Sequence, residues 1–249
     1  MSIVKRACRV VAVCAGLAIV ASGITGYAQG GNGNPGVLPP NSKAFGMTYG
    51  EWSAMHWKWS MSIPADAHPL TDTAPASTGQ GGKVWFIGGQ YASVYNGANS
   101  YSGVADRNAD IPVGTALFFP VLDAEASTIE GNGSTYAELL SSAQWLMDHV
   151  QSMYCEVDGV PIKNLWSYRK ASPMFTLGPL PDPNLMGQTP GETTPSVSDG
   201  VFIMLAPMSR GSHTLHFGGT IVIPEYADQD GNPFQFTLDI TYHLNFVQR

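Results

Sequence analysis

The feature that most constrains the fold is a regular alternation of apolar and polar side chains over residues 234–247. Side chains in a strand point alternately to the two faces of the sheet, so this stretch predicts a strand with one buried face and one that is wet or functional. The apolar face holds Phe236, Leu238, Ile240, Tyr242, Leu244 and Phe246, and the polar face holds Thr237, Asp239, Thr241, His243 and Asn245.

Short apolar runs bounded by Gly and Pro recur along the chain and predict further strands. They cover residues 83–88, 115–122, 172–177, 201–206, 212–218 and 220–224, and an Asp-Gly turn at 158–159 joins a hairpin. Strands with turns between them favour a mainly β fold. We predict an antiparallel β-sandwich of the jelly-roll or immunoglobulin-like type with two packed helices.

The first helix is predicted from about Thr48 to Ser62, where Pro64 stops the helical spacing. Its apolar stripe contains Trp52, Met55, His56, Trp59 and Ile63. A second helix is predicted from about residue 136 to 153, because Thr135 and Glu138 have the spacing of a capping box. Its stripe contains Leu139, Ala143, Leu146, Val150 and Met153.

The N-terminal segment has the pattern of an export signal. Three basic residues precede an apolar run at 10–21, and small residues occupy the −3 and −1 positions of a cleavage site after Ala28. The run is shorter than the roughly 20 residues that a membrane helix needs. We predict a signal peptide at 1–28, a flexible leader at 29–42 and a single domain at 43–249. The mature protein is then secreted or periplasmic and has no transmembrane segment.

The charge and the cysteine content of the chain limit which partners it can bind. After residue 28 the chain has nine Lys and Arg residues against nineteen acids, a net charge of −10, which disfavours nucleic-acid binding. Cys8 and Cys14 leave with the signal, so Cys155 has no partner for an internal disulfide. Cys155 is either a small buried apolar residue or the site of an intermolecular bridge.

Several segments resemble a group of uncharacterised exported bacterial proteins. They are YGEWSA, VWFIGG, ALFFPVL, CEVDG, SDGVFIMLAP, GSHTLHFGG and DITYHL, and together they extend over most of the mature chain. The resemblance agrees with export and implies no activity, cofactor or disulfide.

Two features suggest binding. Trp57 points away from the stripe of the first helix, so its ring is the best candidate for a platform that stacks on a sugar or another ring. His216 is a second candidate, and the loop at 178–200 is long enough to form part of a binding surface. Core packing of the tryptophans is the alternative interpretation.

The candidate catalytic and metal-binding residues are acids and histidines. Asp123 and Glu125 follow a buried strand, where a carboxyl pair suits acid–base cleavage of a glycosidic bond. If their strands are neighbours, His213 or His216 can meet His243, and one of these acids would complete a metal site. His213 and His216 are expected on opposite faces, and hydrogen-bonded sheet histidines are the alternative. No motif indicates a cofactor.

Three functions therefore remain open. The first is an exported protein that binds a small molecule or a carbohydrate. The second is a secreted hydrolase that uses a metal or carboxylates, with Asp123, Glu125 and His243 as its candidate catalytic residues. The third is an envelope subunit that binds a partner chain through Cys155 or a strand edge, in an oligomeric state that the sequence leaves open.

Overall fold

The structure is a computed structural model that describes residue 34 and residues 36–248. The predicted signal peptide lies outside the described residues. The described part is mainly β, with two α-helices and several short 3₁₀ turns. The helices are α1 (Tyr49–Met61) and α2 (Tyr136–Asp148). The strands are β1 (Val84–Phe86), β2 (Val94–Gly97), β3 (Ser100–Pro112), β4 (Ala116–Ser127), β5 (Val150–Val157), β6 (Val160–Pro161), β7 (Arg169–Ala171), β8 (Phe175–Leu177), β9 (Thr194–Leu205), β10 (Gly211–Ile223) and β11 (Phe234–Val247).

The strands form two mixed sheets. Sheet A has the order β1-β4-β9-β7, with β8 also paired to β9, and sheet B has the order β2-β3-β11-β10-β5-β6. The β1–β4 and β3–β11 pairs are parallel, and the other pairs in the described part of the chain are antiparallel. The expectation of purely antiparallel sheets is therefore corrected. Side-chain alternation reports which face of a strand is buried and carries no information about the direction of its neighbour.

Sheet A has a different covering on each face. On one face Phe118 contacts Trp52 of α1, with ring centroids 6.2 Å apart. On the other face Phe119 contacts Phe217 of sheet B at 5.1 Å. Helix α2 also packs on β4 and β9. Because neighbouring residues of a strand face opposite ways, β4 separates an α1 side from a side shared by α2 and sheet B.

The apolar face of β11 is confirmed by the structure. Ile240, Tyr242, Leu244 and Phe246 are each at most 2% exposed, and the main hydrophobic core contains them. Helix α1 also begins where the sequence predicts, with Thr48 and Glu51 in a reciprocal capping box. The tryptophans of its stripe, Trp52 and Trp59, are buried in the apolar core.

Helix α2 is shorter than its apolar spacing predicts. It ends at Asp148, and the predicted last turn belongs instead to β5, where Met153 pairs with Gly219 of β10. The helical spacing continues into the strand, but pairing with β10 overrides it. Cys155 is consequently a strand residue and is 2% exposed. Its burial raises the pKa of the thiol, and no bridge to another chain can form without opening the core.

Two connecting segments are more ordered than the sequence suggests. Of the predicted leader, Val37 pairs with Leu205 of β9 and is 5% exposed, because it supplies an apolar side chain to the core. The predicted loop at 178–200 gives its last residues to β9. Its remainder is closed by two backbone hydrogen bonds: Leu180 N–H donates to the Glu192 carbonyl oxygen, and Gly191 N–H donates to the Leu180 carbonyl oxygen. No helix in the described part of the chain is long and apolar enough to span a membrane.

Candidate functional site

A cleft of about 430 Å³ opens between α2, β4 and the 3₁₀ turn Pro224–Tyr226. Its aromatic wall consists of Trp145 and Tyr226, whose ring centroids are 5.5 Å apart at an angle of 53°. Both rings are exposed, Trp145 by 37% and Tyr226 by 60%. We call this the aromatic cleft. Its volume falls within the usual range of small-ligand sites, about 300–1,000 Å³.

A histidine holds the two halves of the aromatic wall together. His149 Nδ1 donates to the Trp145 carbonyl oxygen at 2.7 Å, and its ring packs on the indole at 4.5 Å. Its Nε2 lies 3.3 Å from Glu225 in the turn that carries Tyr226. Asn99 fixes the same turn by donating to the Tyr226 carbonyl oxygen at 2.7 Å. The two rings are thus positioned before a ligand arrives.

Polar groups lie beside the aromatic wall. Ser127 N donates to the Asn132 side-chain oxygen at 3.1 Å, which orients the amide, and Ser142 donates to the Asn132 carbonyl oxygen at 2.9 Å. Within the described residues the amide nitrogen of Asn132 and the hydroxyl of Ser141 have no protein partner. The cleft therefore combines exposed rings with unused hydrogen-bonding groups.

Residues 124–126 of β4 form the floor of the aromatic cleft. Ala124 and Ala126 supply small side chains that leave space above the strand. A β-bulge between Pro120 and Leu122 shifts the alternation of β4 by one residue, so Asp123 and Glu125 project to the α1 side, as Phe118 does before the bulge. The carboxyl groups of the two acids therefore lie on the opposite side of β4 from the aromatic wall.

The structure brings two of the predicted site residues together where α1, β4 and sheet B meet. Trp57 and Asp123 line a cavity of about 160 Å³ between α1, β4, sheet B and the segment Gly89–Tyr91, which we call the acid cavity. Asp123 lies opposite Gly200, where a Cβ atom would be 2.3 Å from the Cβ of Asp123. Only glycine leaves room for the acid to lie over β9 at this point.

Burial is the main influence on the pKa of Asp123. It raises the pKa of this carboxyl to about 7; the nearby Trp57 indole N–H lowers the pKa, and the charge of Asp199 raises it. Neither Asp123 Oδ2 nor Trp57 Nε1, both buried, has a hydrogen-bond partner of ordinary geometry among the described residues. Asp123 is thus a buried acid with unused hydrogen-bonding capacity.

Glu125 lies further along the same face of β4. Burial, followed by the neighbouring charge of Glu130, raises the pKa of Glu125 to about 8. Ser127 donates to Glu130 at 2.6 Å. Both acids were predicted to follow the strand but lie within β4, and their burial favours the protonated form of each carboxyl group.

The three predicted histidines lie on sheet B, and each has its own acid. His213 contacts Asp158 at 2.7 Å, His216 contacts Asp239 at 2.8 Å, and His243 contacts Asp106 at 2.9 Å. The strands β10 and β11 are neighbours, as the metal hypothesis required. No group of three or more His, Cys, Asp or Glu residues in the described part of the chain has an arrangement that could hold a metal ion.

His213 and His216 lie on opposite faces, as the odd spacing predicts. His213 packs against the buried Phe246 ring at 5.7 Å, whereas His216 packs against Tyr154 at 4.8 Å on the outer face. Partial burial opposes the charged form of His216, but Asp239 and Glu156 outweigh it and raise the pKa of the imidazole. These contacts fit the alternative of hydrogen-bonded sheet histidines.

The sequence-based hypotheses did not include the aromatic cleft. One signal was available, because Trp145 falls outside the apolar stripe of α2 and a large ring there must face solvent. Tyr226 gave no signal, since its turn reaches α2 only through the tertiary fold. No protein-family model, curated protein or solved structure matches this chain.

Proposed function

We propose that this chain is an exported β-sandwich protein that binds carbohydrate in the aromatic cleft. The observation that carries the proposal is the exposed pair of Trp145 and Tyr226 beside unused polar groups. Sugar rings have apolar C–H faces that pack on aromatic rings, while their hydroxyl groups need hydrogen-bond partners. The export pattern at residues 1–28 supports contact with glycans outside the cytoplasm.

The two sides of the aromatic cleft have different expected roles. The aromatic wall supplies apolar contact, and its preset geometry lowers the entropy lost on binding. The amide of Asn132 and the hydroxyl of Ser141 provide directional hydrogen bonds, because they can bond only to ligand hydroxyl groups at matching positions. This division favours recognition of a saccharide over binding of a purely apolar ligand.

A binding role is favoured over hydrolysis by the placement of the acids. Asp123 and Glu125 project to the α1 side, whereas the aromatic cleft opens on the α2 side of β4. His243 lies on the outer face of sheet B, paired with Asp106. Glu125 lines the floor of the aromatic cleft, but its carboxyl group projects to the α1 side, and neither Asp123 nor His243 lines the cleft.

The proposal is tested by screening the purified protein against a panel of bacterial and plant oligosaccharides, with isothermal titration calorimetry of the hits. Trp145→Ala is expected to weaken binding at least about tenfold, the effect of losing one aromatic platform. Trp166→Ala is the matched control, because Trp166 is also exposed, by 50%, and lies outside the aromatic cleft. Absence of any hit, or equal losses in the two variants, would contradict the proposal.

A further inference from the structure

The acid cavity contains a buried carboxyl group without a counter-charge. Within the described residues Asp123 makes no ion pair, and the one charge that perturbs its pKa belongs to another acid, Asp199. His56, which lines the same cavity, is 3% exposed, and burial lowers its pKa to about 4, so its ring is neutral near pH 7. Buried anions in proteins are normally paired with a cation or protonated. The cavity therefore favours a positively charged guest.

The walls of the acid cavity indicate the chemistry of that guest. Rings of Trp57, Tyr91 and Phe236 line it together with the apolar side chains of Leu122 and Ile221. Aromatic faces attract cations, and tryptophan does so most strongly. A surface with one carboxylate and many apolar atoms cannot satisfy several N–H donors, so it suits an alkylated ammonium group better than a bare one.

One aromatic wall of the acid cavity, Tyr91, is held in place before binding. The hydroxyl of Tyr91 lies 3.1 Å from the Ser60 hydroxyl, and its backbone N–H donates to the Leu70 carbonyl oxygen at 2.9 Å. The ring of His68 packs edge-on against Tyr91 at 5.8 Å. Tyr91 is 38% exposed, so it stands where the cavity meets the surface and offers a route of entry.

The size of the acid cavity limits the guest. Its volume of about 160 Å³ is that of about five water molecules, at about 30 Å³ each. Tetramethylammonium is a cation of this size, and tert-butanol is a neutral molecule of nearly the same shape.

We propose that the acid cavity binds a small alkylammonium cation, with the carboxylate of Asp123 as counter-ion and the rings of Trp57 and Tyr91 as walls. This site is separate from the aromatic cleft and does not depend on carbohydrate binding. Bound cation would stabilise the ionised form of Asp123, because an opposite charge nearby favours the charged state.

The proposal is tested by titrating the purified protein with tetramethylammonium and with tert-butanol, using saturation-transfer NMR and calorimetry. Tetramethylammonium is expected to bind at least about tenfold more tightly, because only the cation gains the attraction of the carboxylate and the rings. Equal binding of the two probes, or no binding of the cation, would overturn the proposal. This comparison uses the unaltered protein and needs no variant to fold.

Variants then assign the site. Asp123→Asn keeps the shape of the side chain and is expected to remove binding of tetramethylammonium, whereas Asp66→Asn makes the same change at an exposed acid and should leave it unaltered. Trp57→Phe should weaken binding less than Trp57→Leu, because phenylalanine retains a ring. Unchanged binding in Asp123→Asn would place the cation elsewhere and refute the assignment. Saccharide binding at the aromatic cleft should survive all these changes, so failure of either proposal is distinguishable from failure of the other.

Discussion

Arg107 is the residue whose replacement should most damage the region around the acid cavity. It lies on β3, and its side chain is 6% exposed. Its guanidinium group pairs with Asp72 and donates to the Tyr242 hydroxyl at 2.9 Å and to the Gly89 carbonyl oxygen at 2.7 Å. Tyr242 in turn donates to the Gly88 carbonyl oxygen at 3.0 Å. Arg107 therefore anchors the segment that lies over the acid cavity.

The loss of stability expected for Arg107→Met depends on which groups lose their hydrogen-bond partner. Methionine retains much of the apolar stem but makes none of these hydrogen bonds. Asp72 is 47% exposed and can return to water, whereas the buried Tyr242 hydroxyl and the partly buried carbonyl oxygen of Gly89 lose their charged donor. Leaving these polar groups without a donor costs about 1–3 kcal/mol. For a domain of this size that loss lowers the melting temperature by about 2–12 °C.

Urea unfolding followed by circular dichroism and tryptophan fluorescence measures this loss. The midpoint should fall for Arg107→Met while the slope of the transition stays unchanged. Arg107→Lys should recover only part of the stability, because a lysine keeps the charge but cannot donate in several fixed directions at once.

Arg210→Met is the matched control, since Arg210 is exposed and makes no hydrogen bond within the described residues. It should change the free energy of unfolding by less than about 0.5 kcal/mol. If Arg107→Met cost no more than this control, the argument that Arg107 anchors the segment over the acid cavity would be refuted.

Three further predictions follow from buried groups and close contacts. Folding raises the pKa of Asp123 from 3.8 to about 7, so the folded state binds the proton of this carboxyl group more tightly than the unfolded state does. As the pH rises from about 4 to about 8, the protein should therefore lose stability relative to Asp123→Asn. The change is at most about 1.4 kcal/mol per pH unit in urea unfolding, and parallel pH profiles of the two proteins would contradict it. Gly218→Ala should cost more than about 3 kcal/mol or prevent folding, because a Cβ there would lie 2.0 Å from the Leu238 carbonyl oxygen, while Gly81→Ala, in open space, should be nearly neutral in the same assay. Cys155 should react with a thiol reagent only after denaturation, since it is 2% exposed, and rapid labelling of the native protein would show that this part of the core opens.

The alternation of β11 was sufficient to predict both its limits and its buried face, because burial on one side of a strand is recorded at every second residue. Its partner was not predictable in the same way. Strand β11 pairs in parallel with β3, which lies more than a hundred residues earlier in the chain, and no local pattern encodes such a pairing. The last turn of the predicted second helix was misassigned for a related reason, since pairing of β5 with β10 decides its conformation.

In the candidate sites, too, the sequence indicated single residues but not which residues lie together. Trp57 and Asp123 were each identified as candidates from the sequence, but their meeting in one cavity depends on how α1 packs on β4. Trp145 was visible as an aromatic residue outside an apolar stripe, whereas its partner Tyr226 is brought to it by a turn after β10. Residue type and periodicity thus indicate which side chains are available, and tertiary packing determines which of them form a site.

The most direct test of carbohydrate binding in the aromatic cleft is a titration followed through the indole N–H signals in a ¹H–¹⁵N NMR spectrum. The chain has six tryptophans, so each signal reports on one place in the fold. When the protein is titrated with the saccharide that binds best, the signal of Trp145 should shift, while those of Trp57 and Trp166 should stay in place. A shift of either of these two signals with an unmoved Trp145 signal would contradict the account.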